Sequence, residues 1–202
     1  MTLRFLRSMA ACAVFAAAST FAAGCASSPD AKGTVDSMGS FGLEVAKVKD
    51  SIDSTVKALE SVVQSQPAEI NTRVDAFSKA VFALNGQAEV VRSHAQEMRT
   101  KGDEFFKEWE EPEDMSPERR AELTAAYGTI KTDMTAAKDA FTPFLASLKD
   151  IESYLKVDPS MKGIQSMSDL VKKAKGNGVQ VKTLIDQVLV QVNSVRGMLT
   201  TS

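Results

Sequence analysis

A seven-residue rhythm runs through most of the chain and dictates long helices packed side by side. In the first helical segment, Met38, Phe41, Val45, Val48, Ile52, Thr55, Leu59 and Val62 fall at alternating spacings of four and three or close to it. The second is stricter, keeping one phase through Ile70, Val74, Phe77, Val81, Leu84, Ala88, Val91, Ala95, Met98, Gly102, Phe105 and Trp109. A third stripe joins Leu123, Tyr127, Ile130, Met134, Ala137, Phe141, Phe144, Leu148, Ile151 and Leu155. Such stripes are core seams: an apolar row recurring every 3.5 residues must face partner helices, with polar residues left for the outside. The second segment would run about 65 Å at 1.5 Å per residue. The fold class that follows is all-α, an elongated antiparallel three- to four-helix coiled-coil-like bundle, with helices near 34–64, 67–110, 117–156 and 159–200.

The breaks between stripes agree with this division. Gln66-Pro67, Ser116-Pro117 and Asp158-Pro159 each set a capping residue before a proline at the first helical position, where the missing N–H costs nothing. Glu111-Pro112 ends the second helix. Connections this short make successive helices antiparallel neighbours. Pro143 should kink the third helix by removing a backbone hydrogen bond. In the last segment Lys175-Gly176-Asn177-Gly178 has the composition of a turn. Yet Val171, Ala174, Gly178, Val181 and Ile185 hold one register across it. The expectation is one helix weakened by roughly 2–2.5 kcal/mol relative to alanines, with two helices joined by a turn as the alternative.

Residues 1–24 have the form of a targeting segment: Arg4 and Arg7, then an uncharged small-residue stretch from Met9 to Ala23. At about 15 residues the stretch is short of the ~20 a spanning helix needs. Ala22-Ala23-Gly24-Cys25 resembles the lipobox of bacterial lipoprotein signal peptides, departing from it where Ala22 replaces the usual Leu. The resemblance implies diacylglyceryl transfer to Cys25 and cleavage before it, and Ala26, which is not Asp, implies delivery to the outer membrane facing the periplasm. Residues 25–33 would be a lipidated tether, and the bundle would occupy 34–202. Acyl chains at about 0.8 kcal/mol per buried CH₂ hold such a protein on a bilayer almost irreversibly.

Further residues carry a wider resemblance: Ser37-Met38 with Gly42, Ala58-Leu59-Glu60-Ser61-Val62-Val63, Phe105-Phe106-Lys107-Glu108-Trp109-Glu110 and Phe141-Thr142-Pro143-Phe144-Leu145. Together they resemble an uncharacterised family of bacterial lipoproteins with a helical domain of unknown function. The Phe-x-x-x-Trp-Glu piece is the most specific. The family implies a helical lipoprotein and brings no activity with it.

Composition excludes more than it suggests. The net charge is −2; without Arg4 and Arg7, 22 basic residues face 26 acidic ones, a balance of −4. Nucleic acid, which wants a basic face, is therefore not an expected partner. Both cysteines lie in the first 25 residues, so the bundle has no thiol for a disulfide or a zinc site. His94 is the single histidine. A di-metal bundle needs Glu-x-x-His on two helices, and the residue three before His94 is Val91. No nucleophile elbow or phosphate loop is present. No cofactor, metal or enzymatic activity is expected.

Two features can face a partner. Phe105, Trp109, Glu110 and Glu111 would form one end of the bundle, as a core closure with a solvated acidic loop or as a partner-binding surface. Lys172, Lys173 and Lys175 form a basic stretch of the kind usually solvated. The leading functional expectation is a structural or protein-interaction role: the membrane reached through the lipid on Cys25, and another envelope protein or a second copy reached through the bundle. The alternative is a module that binds lipid or a small ligand or perturbs the membrane. It requires a cavity between helices or an apolar insertion segment, for which residues 140–148 are the nearest candidate.

Overall fold

In a computed structural model, residues 31–108 and 116–200 are described. Cys25 with the segment 1–24 expected to be a signal sequence, the Glu111-Pro112 break and the acidic run from Glu110 to Asp114 lie outside them. Five helices follow one another: α1 (Ala31–Val63), α2 (Ile70–Glu108), α3 (Pro117–Val157), α4 (Met161–Ser166) and α5 (Ser168–Thr200). Among the described residues there is no strand, and no helix is long and apolar enough to cross a membrane.

The four long helices form an up-down-up-down bundle in which every helix runs antiparallel to the next. Cross-links between side chains fix the register. Thr34 on α1 reaches the Lys101 carbonyl on α2 (3.3 Å), and the Gln87 amide donates to Glu44 (2.7 Å). Lys49–Asp186 (2.5 Å), Lys182–Asp53 (2.6 Å) and Lys175–Glu60 tie α1 to α5 along one exposed edge. Exposed pairs contribute 0–1 kcal/mol each. Their value is in alignment, while the core supplies the energy: each fully buried Phe, Leu or Ile contributes about 1.5–3 kcal/mol.

That core is the seam read from the heptads. Met38, Phe41, Val45, Val48, Ile52, Leu59 and Val62 of α1 are all buried, with the Thr55 hydroxyl donating to the Ser51 carbonyl (2.7 Å). The largest fully buried side chains, Phe41, Phe77 and Phe144, come from three different helices.

The helix boundaries refine the expected ones. Ser116 caps α3 as its sequence suggests, accepting from the Arg119 N–H (3.3 Å) ahead of Pro117. Gln66 makes no side-chain cap, and Pro67–Glu69 form a 3₁₀ turn, so α2 starts at Ile70 and not at 67. After α3 the cap is Ser160, whose hydroxyl accepts from Gly163 N–H (3.0 Å), and not Asp158. The last segment is also divided. Met167 N–H turns back to the Ile164 carbonyl (3.2 Å), a tightened i→i−3 bond that closes α4 before α5 begins.

α5 runs unbroken through Gly176-Asn177-Gly178, and the preserved register has a steric reason. A Cβ on Gly178 would stand 3.2 Å from a ring carbon of Phe144, so the glycine is where α3 seats its phenyl ring against α5. α3 likewise passes through Pro143 as one helix from Pro117 to Val157, with Pro143 on its exposed side. The neighbouring Thr142 and Ser147 hydroxyls donate to the carbonyls four residues back, at 3.1 and 2.9 Å.

A second close approach joins α2 to α3. Gly102 faces Tyr127, and a Cβ there would lie 2.6 Å from the phenol Cζ. Tyr127 cannot retreat: its hydroxyl donates to the Arg99 carbonyl (3.1 Å) and its ring stacks on Phe106 (4.7 Å between centroids). Lys131 also lies over the ring (4.8 Å to its centroid) and pairs with Asp103 (3.0 Å). Burial, reinforced by the Asp103 carboxylate, pushes the Tyr127 phenol well above the usual tyrosine range. Gly102→Ala should therefore cost about 1–3 kcal/mol by overpacking, read as a lower urea midpoint. A change below about 0.5 kcal/mol would mean that the two helices stand farther apart.

Candidate functional site

Among the described residues the seam stays buried along the bundle except over one stretch of α2 and α3. Ala88, Val91 and Ala95 of α2 and Met134, Ala137 and Phe141 of α3 hold heptad core positions, yet all six are only half-buried. α2 packs closely on α1, and α3 on α5, but α2 and α3 touch each other least of the four neighbouring pairs. The residue sizes explain the gap. Leu84 and Met98 bracket the stretch on α2 and are fully buried, while the alanines between them are too short to meet α3. Interiors are normally packed without voids larger than a water molecule.

What remains is a cleft of about 340 Å³ opening between α2 and α3, at the lower end of the range for small-molecule sites. Its floor is apolar and comes from the other two helices: Phe41, Val45 and Val48 of α1, and Val181, Ile185 and Val188 of α5. On α2 the lining extends from Ala88 to Arg99, about 16 Å along the helix. The cleft is therefore longer than it is wide and follows the bundle axis.

The rim is basic. Arg92, Gln96 and Arg99 line it from α2, and Thr135 and Lys138 from α3; no lining residue is acidic. Arg92 is matched by Glu89 at 2.5 Å. Arg99 and Lys138 are in no ion pair among the described residues. Lys131–Asp103 and Lys149–Asn85 set the α2–α3 register, which places Lys138 level with Gln96 and Thr135 level with Arg99. Two cations, an amide and a hydroxyl thus gather toward one end of the cleft. Toward Ala88 and Phe141 the lining is hydrocarbon apart from Arg92, whose charge is already matched by Glu89.

His94 sits beside the seam on the face of α2 toward α1, half-buried, its Nδ1 3.8 Å from a Glu97 oxygen. The Lys47 ammonium and then the Gln87 amide hold the nearby Glu44 carboxyl below the usual carboxylate range. Among the described residues no three His, Cys, Asp or Glu side chains are grouped to hold a metal ion.

The residues singled out from sequence are spread widely. Phe105 is 2% exposed and meets Phe106 edge to face (5.2 Å), part of the aromatic cluster with Tyr127 that closes this end of the core. Trp109, Glu110, Glu111 and Cys25 lie outside the described residues. Within the 140–148 stretch, Phe144 and Leu148 are fully buried, so it is core and not a free apolar segment. Of the basic stretch, Lys175 is paired with Glu60. The cleft itself went unseen in the sequence, although its signal is there: three of the seam positions, 88, 95 and 137, are alanines.

No curated protein and no solved structure matches the chain. The family model described as protein of unknown function (DUF2959) matches residues 42–198, which include every cleft-lining residue but Phe41, and the chain belongs to that family.

Proposed function

We propose that the chain is an outer-membrane lipoprotein, anchored through acyl chains on Cys25, whose bundle acts without catalysis by holding an apolar small molecule in the α2–α3 cleft. The cleft is the observation that carries this proposal: a bundle serving only as a strut has no use for an unfilled core, and core voids are costly. Its largely apolar lining and few polar groups gathered at one end are the usual form of a small-ligand site.

The anchor fits the way the chain enters the bundle. The start of α1, the end of α2, the start of α3 and the end of α5 share one end, tied by Thr34–Lys101 and by the Arg119 guanidinium donating to the Met198 carbonyl (3.2 Å). Cys25 is six residues before Ala31, a reach of at most roughly 20 Å. Lipid on Cys25 would keep that end at the membrane.

Cys25→Ser is expected to move the protein from the membrane to the soluble fraction and to abolish palmitate labelling; unchanged membrane association would refute the anchor. Native mass spectrometry of the protein released from mild detergent is expected to show a retained small molecule. Its loss in an Ala137→Phe variant would place the molecule in the cleft, and its persistence would place it elsewhere. A protein-partner role has one observation in its favour: Phe82 on α2, a large aromatic, is 81% exposed among the described residues. Photo-crosslinking from position 82 in cells tests that reading.

A further inference from the structure

The ligand of the cleft can be specified from its polarity. We infer that the cleft takes a single-chain anionic amphiphile, an acyl chain bearing a carboxylate or phosphate head. The head would lie between Arg99 and Lys138, and the tail would lie along Ala95, Ala137 and Ala88. This inference rests on the ligand-binding proposal above and adds the chemistry of the ligand to it.

Three observations converge. The first is shape: a slot about 16 Å long with about 340 Å³ of space suits one hydrocarbon chain and is too small for a two-chain phospholipid. The second is lining. Along its apolar part the slot offers methyl and aliphatic groups from all four long helices, so each methylene seated there leaves water at about 0.8 kcal/mol. The third is charge. Arg99 and Lys138 stand on opposite walls of the cleft within one helical turn of the same level, in no ion pair among the described residues, with the Gln96 amide and Thr135 hydroxyl beside them. An anion there gains two charge-assisted contacts and neutral donors for its remaining lone pairs. A neutral or cationic head would leave both charges unmatched. A guanidinium suits either head, since its fork matches carboxylate and phosphate geometry alike.

The test uses the full-length lipidated protein in nanodiscs of uncharged lipid, with dodecanoate, dodecanol and dodecanoyl lysophosphatidate as probes and native mass spectrometry as the readout. Dodecanoate should bind saturably, and dodecanol roughly tenfold or more weaker, the ratio that one well-placed charged contact gives. An Arg99→Gln/Lys138→Gln variant alters only rim residues and should bring dodecanoate down to the level of dodecanol, leaving dodecanol unchanged. Ala137→Phe should abolish both. Tighter binding of the carboxylate or of the phosphate probe supports the proposal and tells a free fatty acid from a membrane-derived lysolipid. Equal binding of dodecanoate and dodecanol would overturn the anionic head while leaving an apolar ligand in place. Failure of all three probes to bind saturably would overturn both.

Discussion

Phe144→Ala is expected to lower the unfolding free energy by about 3–5 kcal/mol, the largest loss from any single truncation proposed for this chain. Phe144 is fully buried, and its ring occupies the space that Gly178 leaves open on α5, 3.2 Å from where a Cβ would stand. Removing the ring takes away its transfer energy and leaves a void that two stiff helices cannot collapse to fill. Urea unfolding followed by helical circular dichroism should show the midpoint fall with little change in slope. The exposed Phe82→Ala is the control, with an expected change below about 0.5 kcal/mol. Coupling between the two partners sharpens the test. Gly178→Leu should damage the intact protein by overpacking yet restore part of the loss in the Phe144→Ala background, a non-additivity expected only of residues in contact. Additive effects would mean that α3 and α5 do not meet there.

The opposite change is available on the surface. Gly86, Gly128 and Gly176 lie on α2, α3 and α5, and a Cβ at each would meet nothing within 4 Å. Each alanine should stabilise its helix by about 0.8–1 kcal/mol, since glycine loses more backbone freedom on folding. The three sites share no partners, so the triple variant should gain about 2.5–3 kcal/mol. For a chain of this size that raises the melting temperature by roughly 5–12 °C. Gly176→Ala on its own also examines the stretch whose composition resembles a turn. Stabilisation there means the helix is formed through 176–178 in solution, and destabilisation would mean it is not.

Much of the fold was legible because a heptad seam is a statement about geometry. Phe41, Ile52 and Leu59, or Val181, Val188 and Val195, can share a core only if their helices are straight and side by side, and they do. The boundaries were less legible, because the residue before a proline may cap a helix, as Ser116 does, or only adjoin a turn, as Gln66 does. The division at Met167 has no sequence mark, since one tightened backbone bond leaves the side-chain pattern almost intact. The cleft was hidden for a related reason. Periodicity records which face a residue is on, not whether its side chain is long enough to reach the helix opposite. Ala88, Ala95 and Ala137 keep perfect phase with their stripes and still leave a space. The charges on its rim were invisible until the register of α2 against α3 brought Arg99 and Lys138 within one helical turn of each other across the cleft.

Entry of α1 at the same end as the α2–α3 connection has a mechanical consequence. A force applied at Cys25 and resisted by α2 and α5 at the opposite end of the bundle pulls α1 lengthwise past both of its neighbours. Every seam contact and each of the α1–α5 ion pairs then bears the load together, the geometry in which parallel bonds resist best. The same force resisted at the near end would peel α1 away turn by turn, and a few contacts would carry it at any moment. Under the proposed tether at Cys25, a bundle of this design would be strong when stretched away from the membrane and weak when pried open beside it.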